Sequence, residues 1–157
     1  MKPSLLRTLQ TILSAGALTV VFLLSGCGGS DPEPAPTQAE KVIQMLTSNG
    51  GKWTPLTSAG VLVDGVDVTQ DLFSGFTITF LENTYTTTGT SPVWLAQDTW
   101  QFKDESATII IRGQDNREIT IELISDTQLK LTLDWPTTTN GGRSHSLKGK
   151  HEFFLNK

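Results

Sequence analysis

The stretch "ITIELISDTQLKLTL", Ile119 to Leu133, gives the clearest indication of the fold of this 157-residue chain. In both Ile119–Leu123 and Leu129–Leu133, apolar side chains alternate strictly with polar ones. That is the pattern of a strand with one packed face and one face in water. Between the two runs lies "SDTQ", a connection that can join antiparallel neighbours but is too short for a parallel crossover. The stretch therefore predicts a β-hairpin.

Similar runs and short connections recur on both sides of this hairpin. Phe76–Phe80 alternates in the same way, and the short turns "KDES" and "GQDN" begin at Lys103 and Gly113. The last run, Leu147–Asn156, follows the longest candidate loop, Thr137–Ser146. We predict an all-β fold, an up-and-down antiparallel barrel of about eight strands, because open sheet edges invite aggregation. A two-sheet sandwich is the alternative, but its Greek-key crossovers need longer connections.

A single short helix is expected before the first strand. In Gln38–Leu46, "QAEKVIQML", the apolar residues recur at helical spacing, and Asn49-Gly50-Gly51 follows as a C-terminal stop. The apolar face is too small for an isolated helix to be stable. We therefore expect the helix to pack on the end of the barrel.

The chain begins with the pattern of a secretory signal. Lys2 and Arg7 precede an apolar run from Ile12 to Leu24, which is shorter than a membrane-spanning helix of roughly 20 apolar residues. Cys27, the only cysteine, comes directly afterwards, and residues 28–37, "GGSDPEPAPT", have the composition of a flexible tether. An ordinary signal peptide with an incidental cysteine is the alternative interpretation.

The segment Leu24-Ser25-Gly26-Cys27 resembles the lipobox of bacterial lipoproteins. This resemblance implies that residues 1–26 are removed as a signal peptide and that lipid is attached to Cys27, with residues 27–37 as the lipidated tether. Two or three acyl chains hold a protein firmly on a membrane. Gly28 stands where enteric bacteria use Asp for inner-membrane retention, so the expected location is the outer membrane of a Gram-negative envelope.

The folded part resembles another family. Gly51-Lys52-Trp53, which opens the first strand after a short helix, is similar to the Gly-x-Trp motif of lipocalins. Thr77–Tyr85 and Thr99–Phe102 resemble strands of the small lipocalin-like lipoproteins of Gram-negative bacteria. The resemblance covers residues 38–157. It implies a barrel whose closed end is plugged by Trp53.

Composition restricts the partners of the domain. Residues 1–26 contain two of the 12 basic residues and none of the 16 acidic ones, so the remaining chain has a net charge of −6. Such a chain is not expected to bind nucleic acid. With no cysteine beyond Cys27, the fold must depend on burial and backbone pairing, because no disulfide can form within it.

Catalytic and metal-binding patterns are sparse. Two histidines are present; His145 lies in the candidate loop within "SHS", where adjacent residues cannot assemble a triad on one face. No enzyme activity, cofactor or metal site is therefore expected. His151 shares its strand face with Phe153 and Leu155, so it is expected inside the barrel, either hydrogen-bonded in the core or at a ligand.

The aromatic residues are the remaining candidates for a site. We expect Trp94, Trp100, Tyr85 and His151 to contact a ligand if the barrel has a pocket, and to fill the interior if it has none. The predicted function is binding of a small hydrophobic or amphipathic molecule. A filled barrel that binds an envelope protein or a glycan is the alternative, with the Val61–Thr69 hairpin as a candidate contact or a plain turn.

Overall fold

The computed structural model describes residues 34–136 and 148–157 of the chain. The helices and strands described below lie in one compact unit, Ala35–Lys157. Several predicted features lie outside the described residues: the signal peptide, Cys27, most of the tether, Ser144, His145 and Leu147.

The described residues of this unit form ten antiparallel strands, two α-helices and one 3₁₀ turn, Ser48–Gly51. The helices are α1 (Gln38–Thr47) and the single-turn α2 (Thr69–Leu72). The strands are β1 (Lys52–Pro55), β2 (Val61–Val63), β3 (Val66–Asp67), β4 (Thr77–Phe80), β5 (Thr84–Thr88), β6 (Gln97–Phe102), β7 (Ile109–Arg112), β8 (Glu118–Ile124), β9 (Gln128–Trp135) and β10 (Gly149–Asn156).

Eight of these strands close into a barrel. β1 pairs with β4, the strands from β4 to β10 pair in chain order, and β10 pairs back onto β1 through Thr54 with Asn156 and Pro55 with Leu155. The β2–β3 hairpin is attached to β10 outside this ring. The predicted up-and-down antiparallel barrel of about eight strands, preceded by one short helix, is confirmed, and the sandwich alternative is excluded.

The hairpin that decided the prediction forms as expected, with one exception. β8 and β9 pair with Ile121 opposite Leu131, and Ile119, Leu129 and Leu131 are buried. A β-bulge between Ile121 and Leu123 shifts the register by one residue. Leu123 is consequently 49% exposed on the outer surface, and the prediction that it shares the inner face is wrong.

Helix α1 has a capping box at its start and a sharp turn after its end. Thr37 accepts a hydrogen bond from the Glu40 backbone N–H at 3.2 Å, and the Glu40 carboxylate accepts from the Thr37 N–H at 2.7 Å. After the helix, Gly51 has a φ of +68° and lies so close to β4 that a Cβ would overlap the carbonyl oxygen of Phe80. The chain can therefore enter β1 only with glycine there.

Removal of the N-cap should weaken the helix measurably. Thr37→Ala leaves the Glu40 N–H without its acceptor, so we expect the free energy of unfolding to fall by about 1 kcal/mol. Urea denaturation of the full chain followed by circular dichroism measures the change. Thr37→Ser, which keeps the hydroxyl, is the control and should lie close to wild type; equal losses in both variants would contradict the capping explanation.

Trp53 lies where α1 covers one end of the barrel, which we call the helix end. Its side chain is fully buried, and its Nε1 donates to the Leu46 carbonyl at 3.0 Å. The Lys157 ammonium lies 4.4 Å from the centroid of the Trp53 ring and donates to the Met45 carbonyl at 2.7 Å. Trp53 thus ties the helix to the barrel, and its role as a plug residue stays a prediction from the lipocalin resemblance.

Candidate functional site

Five polar or aromatic side chains gather at the opposite end of the barrel, which we call the far end. The far-end cluster consists of Tyr85 on β5, Trp94 in the connection before β6, Arg112 on β7, Trp135 on β9 and His151 on β10. All are buried except Trp135, which is half-buried. The cluster joins residues that are far apart in the chain because neighbouring antiparallel strands begin and end at the same edge.

Arg112 is the charged centre of this cluster and is fully buried. Its Nε donates to Asp115 Oδ1 at 3.0 Å, its Nη2 donates to Asp115 Oδ2, and its Nη1 donates to the Val93 carbonyl at 2.5 Å. The guanidinium carbon also lies 5.7 Å from the ring centroids of both Trp94 and Trp135. A planar guanidinium suits this site because it can bond a carboxylate with two parallel hydrogen bonds while its faces contact aromatic rings.

Trp94 reaches the interior from an irregular segment, residues 89–96, that folds over the far end. The Trp94 N–H donates to Ser91 Oγ at 2.9 Å, and Thr87 Oγ1 donates to the Leu95 carbonyl at 3.0 Å. At the start of the segment, Gly89 has a φ of +73° and packs directly against Gly75, where a Cβ would clash with backbone. The close approach of these glycines lets residues 89–96 cover the barrel end.

Ring contacts join the cluster to the apolar core. Tyr85 and Trp94 meet edge to face with centroids 5.3 Å apart, and Trp94 meets Phe153 in the same manner at 5.7 Å. Phe153 in turn stacks on His151 at 6.3 Å. The structure therefore brings together three of the predicted ligand residues, namely Tyr85, Trp94 and His151.

Trp100 lies apart from that cluster. Its Nε1 donates to the carbonyls of both Leu81 and Thr84, at 3.1 and 3.0 Å, and its ring packs edge to face on Phe80 and Phe102. Because its donor is satisfied by the main chain, Trp100 has no polar group left to offer a ligand. It packs in the core at the turn between β4 and β5.

Four buried side-chain atoms of the far-end cluster have no hydrogen-bond partner in the part of the chain that the structure describes. They are Trp94 Nε1, Trp135 Nε1, His151 Nε2 and Tyr85 Oη, which lies near Arg112 and the Leu95 backbone but forms no hydrogen bond of normal geometry with either. A buried polar atom without a partner costs about 1–3 kcal/mol, and native proteins contain few of them. Four such atoms at one end of a barrel mark a place where a ligand or ordered water can form hydrogen bonds.

Both titratable rings in the cluster are neutral near pH 7. Burial raises the pKa of Tyr85 to about 12, although the nearby positive charge of Arg112 opposes this shift, so the phenol keeps its proton. Burial also lowers the pKa of His151, and the Gly149 carbonyl, Asp64 and Asp134 oppose it only in part. The free charge of the cluster is therefore confined to Arg112 and its partner Asp115.

The lowered pKa of His151 predicts a pH-dependent stability. Below pH 6.5 the unfolded chain binds a proton that the folded chain resists, so the free energy of unfolding should fall as the pH decreases from 6.5. One group contributes at most about 1.4 kcal/mol per pH unit. Chemical denaturation between pH 7.5 and 5 measures this slope. In His151→Phe the slope in this window should be clearly smaller, and an unchanged slope would assign the effect to other groups.

Sequence reasoning did not identify Arg112 or Trp135 as members of the site. A usable signal for Arg112 was its position two residues after Ile110, because alternate residues of a strand face the same side and both side chains point inward on β7. A second signal was Asp115, a carboxylate placed in the following turn where it can reach back to the guanidinium. For Trp135 the signal was its position two residues after Leu133, because it continues the inward-facing alternation of β9 to the end of the strand.

The outer wall carries a polar cleft and an apolar groove. The cleft has a volume of about 390 Å³ between the turn at Asp115–Glu118 and the strand residues Asp134 and Lys150. The groove, about 140 Å³, lies between Leu56, Leu123 and Phe154 near the helix end. Phe154 therefore faces outward while its neighbour Phe153 faces the core.

The predicted Val61–Thr69 hairpin forms as β2 and β3, and both of its acids are used locally. Asp64 accepts from the Lys150 N–H at 2.8 Å, and Asp67 accepts from the N–H groups of Ala59 and Thr69 at 2.8 and 2.9 Å. These hydrogen bonds fasten the hairpin to β10 and to the preceding loop. Val66 at the turn is 64% exposed.

The fold and the far-end cluster define a class of protein: a small, closed, eight-stranded antiparallel barrel that is compatible with a lipocalin-like fold. Comparison of the chain with protein-family models, with curated proteins and with solved structures found no match. Residues 34–136 and 148–157 include no group of three or more His, Cys, Asp or Glu side chains placed to share a metal ion. Within the same ranges, no helix is long and apolar enough to cross a membrane.

Proposed function

We propose that this protein is a membrane-anchored, lipocalin-like lipoprotein that binds a small amphipathic ligand at the far end of its barrel. The observation that supports this most directly is the set of four buried polar atoms in the far-end cluster that have no partner among the described residues. Aromatic rings pack around these atoms, so the site combines an apolar lining with a few polar groups, as small-molecule sites do. The anchor in this proposal is lipid on Cys27.

Ligand binding at the far end requires Trp94 to move. In the structure its indole packs against Tyr85, Phe76 and Phe153 and occupies the centre of the far end. Trp94 belongs to the irregular segment 89–96, which lacks the continuous ladder of a strand. We propose that an outward shift of this segment makes room for the ligand, whose apolar part then replaces the indole against the core rings.

Native mass spectrometry tests the ligand proposal. The full chain, extracted from bacterial membranes in mild detergent, should carry about one bound amphipathic molecule, which organic extraction would then identify. Tyr85→Phe and His151→Phe remove polar groups of the cluster and should reduce the occupancy, whereas Trp100→Phe should not. Spectra that contain only detergent adducts, equal in all four proteins, would refute the proposal.

A separate experiment tests the anchor. Radiolabelled palmitate should mark the wild-type chain in growing bacteria, and Cys27→Ser should abolish both the label and the recovery of the protein in the membrane fraction. Cys27→Ser leaves residues 38–157 unchanged, so circular dichroism of that variant should still report β-structure. Equal labelling of the two chains would refute lipidation at Cys27.

The second candidate function, an envelope interaction protein with a filled barrel, is favoured by the packing of the interior. Aromatic rings pack against one another in the core at centroid distances of 5.1 to 6.5 Å, and Leu56 and Leu123 expose apolar surface beside the outer groove. A photoreactive residue at Leu123 should then capture one reproducible envelope protein in cells, and the same residue at exposed Glu105 should not. Capture at both positions, or at neither, would count against this function.

A further inference from the structure

The tautomer of His151 determines whether its buried, unpartnered nitrogen needs a hydrogen-bond donor or an acceptor. Its Nδ1 lies 3.2 Å from the Gly149 carbonyl oxygen. A carbonyl can only accept, so Nδ1 must carry the hydrogen and donate it. In a neutral imidazole the other nitrogen is then an acceptor. His151 Nε2, which is buried and lacks a partner among the described residues, therefore needs a hydrogen-bond donor.

Two of the other unpartnered atoms are hydrogen-bond donors, which need an acceptor. Trp94 Nε1 and Trp135 Nε1 are donors only, and both are buried without an acceptor in the described part of the chain. The guanidinium carbon of Arg112 is 5.7 Å from the centroid of each of these two rings. Tyr85 Oη, which can donate or accept, lies beside Trp94. A matching ligand must therefore accept from an indole and donate to an imidazole.

The charges of the cluster disfavour an ionic ligand. Arg112 already has a bidentate carboxylate partner in Asp115 and a carbonyl partner in Val93, so its own charge is paired. Arg117, whose guanidinium carbon lies 4.3 Å from the Trp135 ring centroid, approaches the same carboxylate at 3.5 Å and donates to the Asp134 carbonyl. A carboxylate ligand has no hydrogen to donate to His151 Nε2. A cationic head group would lie beside the buried guanidinium, which would repel it.

We propose that the far-end cluster takes a neutral amphiphile with a hydroxyl group, which donates to His151 Nε2 and accepts from the indole N–H of Trp135, a diagonal neighbour of His151 across β9 and β10. The apolar body of the ligand would pack against Phe73, Phe76 and Phe153, which surround His151 and Trp94. This inference rests on the proposed function, because it assigns a ligand class to the same site. A hydroxyl fits because it is the smallest group that both donates and accepts.

Photolabelling with three matched probes tests the ligand class. The probes share one alkyl chain with a diazirine and end in a hydroxyl, a methyl ether or a carboxylate. The full chain is held in phospholipid nanodiscs, and labelled peptides are quantified by mass spectrometry relative to labelled lipid. We expect the alcohol to half-saturate labelling of the peptides that contain Tyr85 and Trp94 at a concentration at least about fivefold lower than the ether, the equivalent of one neutral hydrogen bond.

Variants of His151 provide the second part of the test. His151→Phe removes the acceptor, so the half-saturating concentrations of the alcohol and the ether should become nearly equal. His151→Gln retains an acceptor oxygen and should restore part of the preference for the alcohol. Trp100→Phe, outside the cluster, should keep the wild-type ratio. If His151→Phe does not fold, the comparison of His151→Gln with wild type and the three-probe comparison in wild type remain decisive.

The possible outcomes separate this inference from the proposed function. Equal labelling by alcohol and ether, or stronger labelling by the carboxylate, would overturn the hydroxyl assignment while ligand binding at the far end would stand. Labelling by none of the probes at the far end would overturn both. Preferential labelling by the alcohol that His151→Phe does not change would also overturn the assignment, because the hydroxyl would then bind elsewhere.

Discussion

Replacement of Arg112 by methionine is expected to lower the free energy of unfolding by about 3 kcal/mol. The guanidinium is fully buried, and its loss leaves the Val93 carbonyl without its donor and removes two of the donors of the Asp115 carboxylate, which keeps the Arg117 backbone N–H. Removal of one partner of a buried ion pair typically costs about 3–5 kcal/mol. The lower end applies because a third of the Asp115 side chain remains in solvent. Urea denaturation of the full chain measures the change.

Arg117→Met is the matched control for this prediction. Arg117 approaches the same carboxylate at 3.5 Å, and its guanidinium carbon lies 4.3 Å from the centroid of the Trp135 ring, but its side chain is partly exposed. We expect a loss below about 1 kcal/mol, as for surface ion pairs. Arg112→Lys keeps the charge without the bidentate geometry and should fall between wild type and Arg112→Met. Similar losses for Arg112→Met and Arg117→Met would contradict the importance of burial.

Replacement of Trp53 by alanine is expected to cost about 4 kcal/mol, in the range measured for large-to-small changes in protein cores. The indole is fully buried at the helix end and holds α1 through the Leu46 carbonyl. Its loss removes packing, leaves that carbonyl without its donor and takes away the ring beneath Lys157. Thermal and urea unfolding, followed by circular dichroism, report the loss of stability.

Trp53→Phe separates the packing contribution from the polar one. The phenyl ring keeps most of the buried area but cannot donate to Leu46, so we expect a loss of about 1–2 kcal/mol. Lys157→Met, which keeps an apolar stem and removes the ammonium, should cost less than Trp53→Ala. If Trp53→Phe were as destabilising as Trp53→Ala, the role of Trp53 would depend on its hydrogen bond more than on its size.

The barrel was predictable because its signals are local. The alternation in Ile119–Leu123 and Leu129–Leu133, together with short polar turns, specifies antiparallel neighbours in chain order, and a ring of such neighbours has few ways to bury its inner face. The β-bulge that turns Leu123 outward was not predictable. The register at that point depends on how β8 meets β9, and the amino-acid pattern of β8 alone continues its alternation through Leu123.

The far-end cluster was predictable only in part, for a related reason. Tyr85, Trp94 and His151 were found because aromatic and inward-facing residues are natural candidates for a barrel interior. The alternation of β7 places Arg112 on the inner face. A charged residue is nevertheless an unusual choice for the core, because charged residues are rarely buried without a partner. Its partners Asp115 and Val93 come from two different connections, so the cluster exists only after the barrel has closed.

The closing pairs of the barrel have a consequence for biosynthesis. β10 hydrogen-bonds to β1, β2 and β9, so β1 and β2 need a partner that is translated after the other nine strands. Contacts between residues far apart in the sequence slow folding, and until they form the unpaired strand edges are prone to aggregation. The nascent domain should therefore stay unfolded and depend on chaperones until translation has passed Asn156.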